Sequence, residues 1–193
     1  MIIRKLFRFE NAHIVRFCSS KRCRTSIHGH SYVAEILLHS NFLDNAGMVY
    51  DFGLMKRGIK EIIDSFDHAT TIFLEDEAEY KNDLKKHSAR WVEIPVNPSA
   101  EQFCRLFFVI IDRLLDATKM SNGECEVKLH SVIVHETDTG YAQCFREDAY
   151  NARMGEIDLS RVTFSDAIVE EWDDKELFNK IKLKQTIVNP KDV

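Results

Sequence analysis

Residues 28–38 read HGHSYVAEILL, and from Tyr32 to Leu38 this stretch is rich in apolar residues, as a buried strand is. An earlier segment, residues 2–9, alternates loosely between apolar and charged side chains, which is typical of a half-buried strand. A polar loop from Phe17 to Ile27 separates the two segments. We therefore expect the chain to begin with two neighbouring strands joined by a long loop.

Two helical segments follow these strands. Asp51-Phe52-Gly53 opens the first, in which apolar residues recur at helical spacing: Leu54, Met55, Ile59, Ile62, Ile63 and Phe66. The second begins at Ser99, which forms a capping box with Gln102 before an apolar run to Leu115. Between them, residues 69–93 are charged and weakly periodic, so we expect an excursion that carries a short helix rather than core.

Two more strands complete the predicted domain. Residues 125–135 alternate in polarity, and Gly140 marks a turn into Tyr141 to Phe145. The order is β-β-α-α-β-β, in which runs of strands flank a run of helices. This order predicts an α+β fold with an antiparallel four-stranded sheet and two helices on one face.

The remaining residues, 148–193, are polar and carry a possible short helix around Leu177 to Ile181. We assign residues 1–147 to the domain and residues 148–193 to a C-terminal extension of unknown role, either docked or partly mobile. The extension carries no identifiable chemistry.

Composition narrows the class of protein. The chain has 193 residues, of which 45% are hydrophobic, and this suits one soluble globular unit. A net charge of -5 provides no general attraction for nucleic acid or an anionic membrane. The densest apolar run, Leu106 to Ile111, is too short to cross a bilayer, so we expect a cytoplasmic protein. Its five cysteines have no regular spacing and predict no disulfide.

His28 and His30 lie two residues apart at the start of the second strand, so their side chains point to the same face. Gly29 between them allows the backbone to come close. His13, at the end of the first strand, supplies a third imidazole, and three protein ligands with an open fourth position are typical of catalytic Zn²⁺. The alternative for an isolated His-x-His pair is simple exposure.

Three further positions are candidates for chemistry. Cys23 lies between Arg22 and Arg24, and nearby cations favour a thiolate that acts as base or nucleophile. It could instead be the fourth ligand of a structural zinc site, and Cys18 is a weaker candidate for either role. Asp67-His68 is either an acid–base pair or a charge cluster at a helix end.

Glu136, in His135-Glu136-Thr137, ends the third strand. It is either a surface carboxylate at the end of a strand or a buried acceptor for a ligand that offers paired N–H donors.

In chain order, several short motifs resemble the 6-pyruvoyltetrahydropterin synthase family, and its bacterial 6-carboxytetrahydropterin synthase branch looks closest. The motifs are Phe9-Glu10-Asn11-Ala12-His13, Cys23, His28-Gly29-His30-Ser31-Tyr32, Met48-Val49-Tyr50-Asp51-Phe52, Asp67-His68, Asn97-Pro98-Ser99-Ala100-Glu101 and His135-Glu136-Thr137. They run from the first strand to Phe145 and are specific through their order and number. Asn11, the loop between Cys23 and His28, and the extension depart from the family pattern.

The resemblance implies a tunnelling fold, whose subunits assemble into a barrel, commonly a hexamer of two trimers with active sites between subunits. It implies zinc on His13, His28 and His30, and a Cys23 thiolate as base. It also implies a proton relay by Asp67 and His68, and a pterin ring anchored by Glu136.

The implied reaction converts 7,8-dihydroneopterin triphosphate to 6-carboxytetrahydropterin and releases acetaldehyde and triphosphate, on the way to queuosine or a related deazapurine. The basic loop residues Lys21, Arg22 and Arg24 either help to hold the triphosphate or are merely solvated. Two alternatives remain: the family's eliminating reaction to 6-pyruvoyltetrahydropterin, and a non-catalytic zinc- or pterin-binding protein on the same scaffold.

Overall fold

The computed structural model describes all 193 residues. Its strands are β1 (Ile2–His13), β2 (His28–His39), β3 (Ala69–Phe73), β4 (Trp91–Ile94), β5 (Thr118–Lys119), β6 (Lys128–Thr137), β7 (Gly140–Cys144), β8 (Thr163–Phe164) and β9 (Ile187–Val188). Its α-helices are α1 (Lys21–Thr25), α2 (Gly58–Asp64), α3 (Ala78–His87), α4 (Ala100–Ala117), α5 (Arg146–Ala149), α6 (Asp166–Val169) and α7 (Leu177–Leu183). Short 3-10 turns span Leu54–Lys56, Ala152–Met154 and Leu159–Arg161.

The two predicted N-terminal strands form and are longer than the sequence pattern indicated. β1 and β2 pair antiparallel along their whole length, from Ile2 opposite His39 to His13 opposite His28. Their inward side chains are buried and include Phe9 on β1 and Tyr32 on β2, whose rings stack with centroids 4.9 Å apart. The connecting loop is not entirely irregular, because α1 forms within it.

The main sheet has seven strands, in the order β7-β6-β2-β1-β3-β4-β8, so the predicted count of four is wrong. The four predicted strands form its antiparallel part, β7-β6-β2-β1. β3 and β4 add a parallel part, and β8 pairs antiparallel with β4. Two of the three extra strands, β3 and β4, arise because short segments of residues 69–94 pair with each other and with the end of β1, and α3 is the short helix expected between them. The third, β8, belongs to the C-terminal extension. Val92 and Ile94 of β4 lie in the hydrophobic core, so the expectation that this region is not core is wrong.

The two predicted helices are α2 and α4, and they lie on the same face of the sheet. α4 packs on β6 and β7, and α2 packs on β1 and on α4. The α4 helix begins where predicted, with the Ser99 hydroxyl accepting a hydrogen bond from the Gln102 N–H at 3.4 Å. The predicted capping box forms only in this half, because the Gln102 side chain bonds Arg105 and the Met154 carbonyl instead. The core lies between this helix layer and the sheet, where Phe103 and Phe107 are fully buried.

The C-terminal extension docks on this same core. Phe164, Trp172 and Phe178 are buried and belong to the hydrophobic cluster that includes the sheet and α4. The buried guanidinium of Arg105 on α4 donates hydrogen bonds to backbone carbonyls between residues 148 and 155. None of the helices combines the length and hydropathy needed to span a membrane.

Candidate metal centre and active site

The pairing of β1 with β2 brings three histidines together. His13 lies opposite His28, and Asn11 lies opposite His30, so all three imidazoles share the inward face of the sheet. Their ring centroids are 4.6 Å apart for His13 and His28, 5.4 Å for His13 and His30, and 5.3 Å for His28 and His30. One ring nitrogen from each lies within 4.8 Å of the others.

Backbone carbonyls orient two of these rings. The Nδ1–H of His13 donates to the carbonyl oxygen of Pro98 at 2.6 Å, and that of His28 donates to Ser26 at 3.0 Å. A carbonyl oxygen can only accept, so the proton lies on Nδ1 and the lone pair lies on Nε2. This is the arrangement that histidine ligands of a metal usually have. His13 and His28 therefore fit a zinc ion in both donor type and orientation, and His30 fits it in donor type and position.

His13 is the innermost of the three and is fully buried. Burial lowers the pKa of His13 to about 4, the Pro98 carbonyl acts in the opposite direction, and the neighbouring His28 and His30 lower it further. The ring is therefore neutral at physiological pH, which is the form that binds metal.

Gly29 separates His28 from His30 at a point where the two strands are unusually close. A Cβ atom at this position would lie 2.9 Å from the backbone oxygen of Asn11, which is too short for a real contact. The close approach expected at this glycine is present, and it holds the ends of β1 and β2 together beneath the histidines.

Glu136 faces the histidine group from the end of β6. Its Oε1 lies 3.9 Å from Nε2 of His13 and 3.8 Å from Nε2 of His30. The buried Tyr32 hydroxyl donates to the same oxygen at 3.2 Å. Burial, together with this carboxylate, raises the pKa of Tyr32, so the hydroxyl remains a donor. The Glu136 carboxylate is one-third exposed, with its other oxygen available to a ligand.

Cys23 lies on α1 and is not part of the histidine group. Its carbonyl accepts a hydrogen bond from the Val15 N–H at 3.0 Å, which fixes α1 against the chain that leaves β1. The Cys18 thiol, by contrast, donates to the Ser20 carbonyl at 3.3 Å. Arg24 donates to the carbonyls of Cys18 and Ser19, so its guanidinium is engaged within the loop.

Asp67 and His68 form a hydrogen-bonded pair in the turn between α2 and β3. The His68 Nδ1–H donates to one carboxylate oxygen of Asp67 at 2.9 Å, and the Glu10 N–H donates to the other at 2.7 Å. Desolvation acts to raise the pKa of Asp67, but these two hydrogen bonds outweigh it and hold the pKa below its usual value. No hydrogen bond joins the Asp67–His68 pair to Cys23. The pair does adjoin the histidine group, because His68 and His30 line a common open cavity of about 370 Å³.

Sequence reasoning missed the partners that orient the site. Pro98 stands in the sequence only as one residue of a family motif, although its carbonyl holds His13 across 85 positions of the chain. Tyr32 likewise stands only as a strand and motif residue, with no role assigned. Alternation along β2 could have placed Tyr32 on the same face as His30, but no sequence signal indicated the Pro98 contact.

The chain is similar to several known proteins. A family profile described as 6-pyruvoyl tetrahydropterin synthase matches residues 2–147. The 6-carboxy-5,6,7,8-tetrahydropterin synthase of Helicobacter pylori strain J99 is 40% identical over 182 residues, covering 94% of this chain and 91% of that protein. The enzyme of the same name from Aquifex aeolicus is 31% identical over 159 residues, covering 73% of this chain and 95% of that protein.

Among solved structures, 6-pyruvoyl tetrahydropterin synthase from Plasmodium vivax superposes with a TM-score of 0.54 at 20% identity, covering 76% of this chain and 98% of that one. This likeness concerns the fold. The family match spans β1 to β7 and includes every candidate site residue. By that match and by its relatives, the chain belongs to the 6-pyruvoyl tetrahydropterin synthase family.

Proposed function

We propose that this protein is a zinc-dependent lyase that converts 7,8-dihydroneopterin triphosphate to 6-carboxy-5,6,7,8-tetrahydropterin, with release of acetaldehyde and triphosphate. The observation that carries the proposal is the group of His13, His28 and His30, with its two carbonyl-oriented rings. The name of the H. pylori relative, which matches nearly the whole chain, favours the carboxy-forming reaction.

The three histidines would hold Zn²⁺ through their ring nitrogens and leave a fourth position open. A zinc ion in such a site acts as a Lewis acid that acidifies a hydroxyl of the substrate side chain. Cys23 is half-buried and not part of the histidine group, so its thiol is available to move the proton. Cys18 is the weaker candidate, because its thiol is already hydrogen-bonded to Ser20.

Asp67 and His68 are proposed as the proton relay. Asp67 fixes Nδ1 of His68, which leaves Nε2 of this exposed ring to exchange protons. Glu136 is proposed to anchor the pterin ring, because a carboxylate can accept two N–H donors side by side. Tyr32 orients that carboxylate by donating to one of its oxygens.

The triphosphate is proposed to lie near the basic loop. The Arg24 guanidinium is occupied by loop carbonyls. Lys21 and Arg22 are exposed and remain available for phosphate oxygens.

We further propose that the active site is completed in a cytoplasmic homo-oligomer, a hexamer of two trimers whose sheets close into a barrel. The outer edge of β1 pairs with β3 only at Asn11 and Ala12, so residues 2–9 have no strand partner on that side. β7 is an edge strand at the antiparallel end of the sheet. Pairing of these edges between copies would also explain why Cys23 and the Asp67–His68 pair are not bonded within one chain.

The product decides between the candidate reactions. Purified zinc-loaded protein incubated with 7,8-dihydroneopterin triphosphate is expected to release acetaldehyde in step with consumption of the substrate. A 6-pyruvoyl product without acetaldehyde would assign the eliminating reaction instead. Binding of the substrate without turnover would leave a non-catalytic pterin-binding role. The carboxy-forming reaction would supply a pathway to queuosine or a related deazapurine.

A further inference from the structure

The turn that carries Asp67 and His68 has a strained backbone. His68 has a φ of 50°, in the left-handed region that residues with a Cβ rarely adopt. A strained residue keeps such a conformation only where its surroundings hold it. The contacts around residues 64–69 therefore decide where the Asp67–His68 pair points.

One side of the turn is held by β1. The Asn11 side chain donates to the carbonyls of Phe66 and Ala69 at 2.8 and 2.9 Å, in addition to the Glu10 N–H that binds the Asp67 carboxylate. These contacts lie within the part of the chain that matches the family profile.

The other side is held by Arg90, which immediately precedes β4. Its Nε donates to the Asp67 carbonyl at 2.9 Å, and its Nη2 donates to the Asp64 carbonyl at 2.8 Å. A guanidinium donates in fixed directions within one plane, so these two hydrogen bonds define the orientation of the turn. Only 19% of the Arg90 side chain is exposed.

The C-terminal extension contacts both Arg90 and the turn. The Glu171 carboxylate pairs with Nη1 of Arg90, the one guanidinium nitrogen that does not bond to the turn. Trp172 is buried and donates its indole N–H to the Ser65 hydroxyl at 2.9 Å. The Phe164 ring packs edge-on against Phe66 with centroids 6.0 Å apart. Three separate side chains of the extension thus meet residues 64–67 or the arginine that holds them.

From this arrangement we propose that the extension positions the proton relay. Residues 164–172 support the Asp67–His68 turn through their contacts with residues 64–67 and with Arg90. Within this segment, Glu171 acts through Arg90 on the Asp67 carbonyl. Arg90, Glu171 and Trp172 are positioning residues in this scheme and touch no substrate. The catalytic part of the inference rests on the proposed function, whereas the structural part, an ordered turn, does not.

The central test compares Glu171→Gln with Glu170→Gln. Both variants remove one negative charge from adjacent exposed positions, but only Glu171 pairs with Arg90. Glu171→Gln is expected to lower kcat about tenfold with KM changed by less than about twofold, because a displaced relay slows the chemical step without altering binding. Glu170→Gln is expected to match the wild type. Equal kcat values for the two variants would overturn the inference.

A double-mutant cycle that combines Glu171→Gln with Asp67→Asn separates an effect on the position of the relay from an effect on general stability. If Glu171 acts through the relay, Glu171→Gln should cause no further loss of kcat once Asp67 has been replaced. An undiminished loss in the Asp67→Asn background would show that Glu171 does not act through the relay. Trp172→Phe removes the N–H donor and leaves a smaller aromatic ring in the buried site, so it tests the second contact with a modest loss of packing.

Amide hydrogen exchange provides a readout that does not depend on turnover. Peptides spanning residues 64–70 are expected to exchange faster in Glu171→Gln and Trp172→Phe than in Glu170→Gln, with peptides of α4 unchanged. If the wild type fails to turn over the pterin substrate, the proposed function is wrong and the exchange data alone decide whether the extension orders the turn. Unchanged exchange at residues 64–70 would overturn the inference in either case.

Discussion

The three candidate ligands differ in how firmly they are held. His13 is fully buried and tied to Pro98, while His28 and His30 lie at the open end of β2 and are partly exposed. His28 therefore has solvent on one side and can be replaced with little disturbance of the core. This makes it the most informative position for a metal assay.

We predict that His28→Ala abolishes stoichiometric zinc, because two imidazoles do not complete the ligand set of a stable zinc site. Metal content after exhaustive dialysis is the measurement. His87→Ala, at the exposed end of α3, is the matched control and should retain full zinc. Full occupancy in the His28 variant would exclude this metal site.

We predict that Cys23→Ala retains zinc and loses about 10²–10⁴-fold in turnover, the usual contribution of general acid–base catalysis. Cys18→Ala should remain active, because its thiol is engaged with the Ser20 carbonyl. The reverse result, an active Cys23 variant and an inactive Cys18 variant, would transfer the thiol role to Cys18. Loss of zinc from the Cys23 variant would indicate a fourth ligand instead of a base.

At the scale of elements, the α4 N-terminus links fold and site. Ser99 caps the helix, and the preceding residue, Pro98, supplies the carbonyl that orients His13. A loose helix start would therefore affect both the stability of the protein and the orientation of the His13 ring.

Ser99→Ala is expected to lower the free energy of unfolding by about 1 kcal/mol, the typical value for an N-cap that loses its side-chain hydrogen bond. Zinc affinity should fall as well, because outer-shell partners of a histidine ligand contribute to it. Urea unfolding and competition with a chelator measure the two effects. Ser20→Ala is the control, since Ser20 precedes α1 without a side-chain cap and should change neither value.

The sequence predicted the elements that have a strong period and missed those that depend on distant partners. β1, β2, β6, β7 and α4 carry their apolar pattern over enough residues to be recognised. β3 and β4 are short, with five and four residues, and unlike the equally short β7 they follow no hairpin turn from a recognised strand. They form because each lies beside a parallel neighbour. No local pattern encodes that pairing.

In the candidate site, too, local spacing could be predicted from the sequence and contacts between distant positions could not. Spacing alone placed His28 and His30 on one face, and the order of strands placed His13 near them, as the register of β1 and β2 confirms. The contacts of His13 with Pro98 and of Tyr32 with Glu136 span 85 and 104 positions, and only the folded chain reveals them.

For the whole molecule, the extension shares its core with the domain. Apolar side chains of residues 157–181 belong to the same cluster as the sheet and α4. A single core predicts a single cooperative transition. The protein should therefore not behave as a folded domain with a loose tail.

The two tryptophans allow this to be tested, because Trp91 lies in β4 and Trp172 in the extension. We predict that in Trp91→Phe the fluorescence of Trp172 and the far-ultraviolet circular dichroism change at one urea concentration. The reciprocal variant, Trp172→Phe, reports on β4 and should give the same coincidence. An earlier fluorescence transition of Trp172 alone would show that the extension unfolds independently.

The open edge of β1 affects a newly synthesised chain before it has assembled with other copies. A lone subunit presents unpaired amides and carbonyls along residues 2–9. An extended polypeptide can pair with these groups as an additional strand. Arg4, Lys5 and Arg8 along this strand repel like-charged copies and discourage misaligned stacking. If sister subunits cover the edge, the fraction of chains that expose it is greatest when the protein is scarce, because dilution dissociates an assembly. Assembly would then protect the backbone of this strand as well as complete the site.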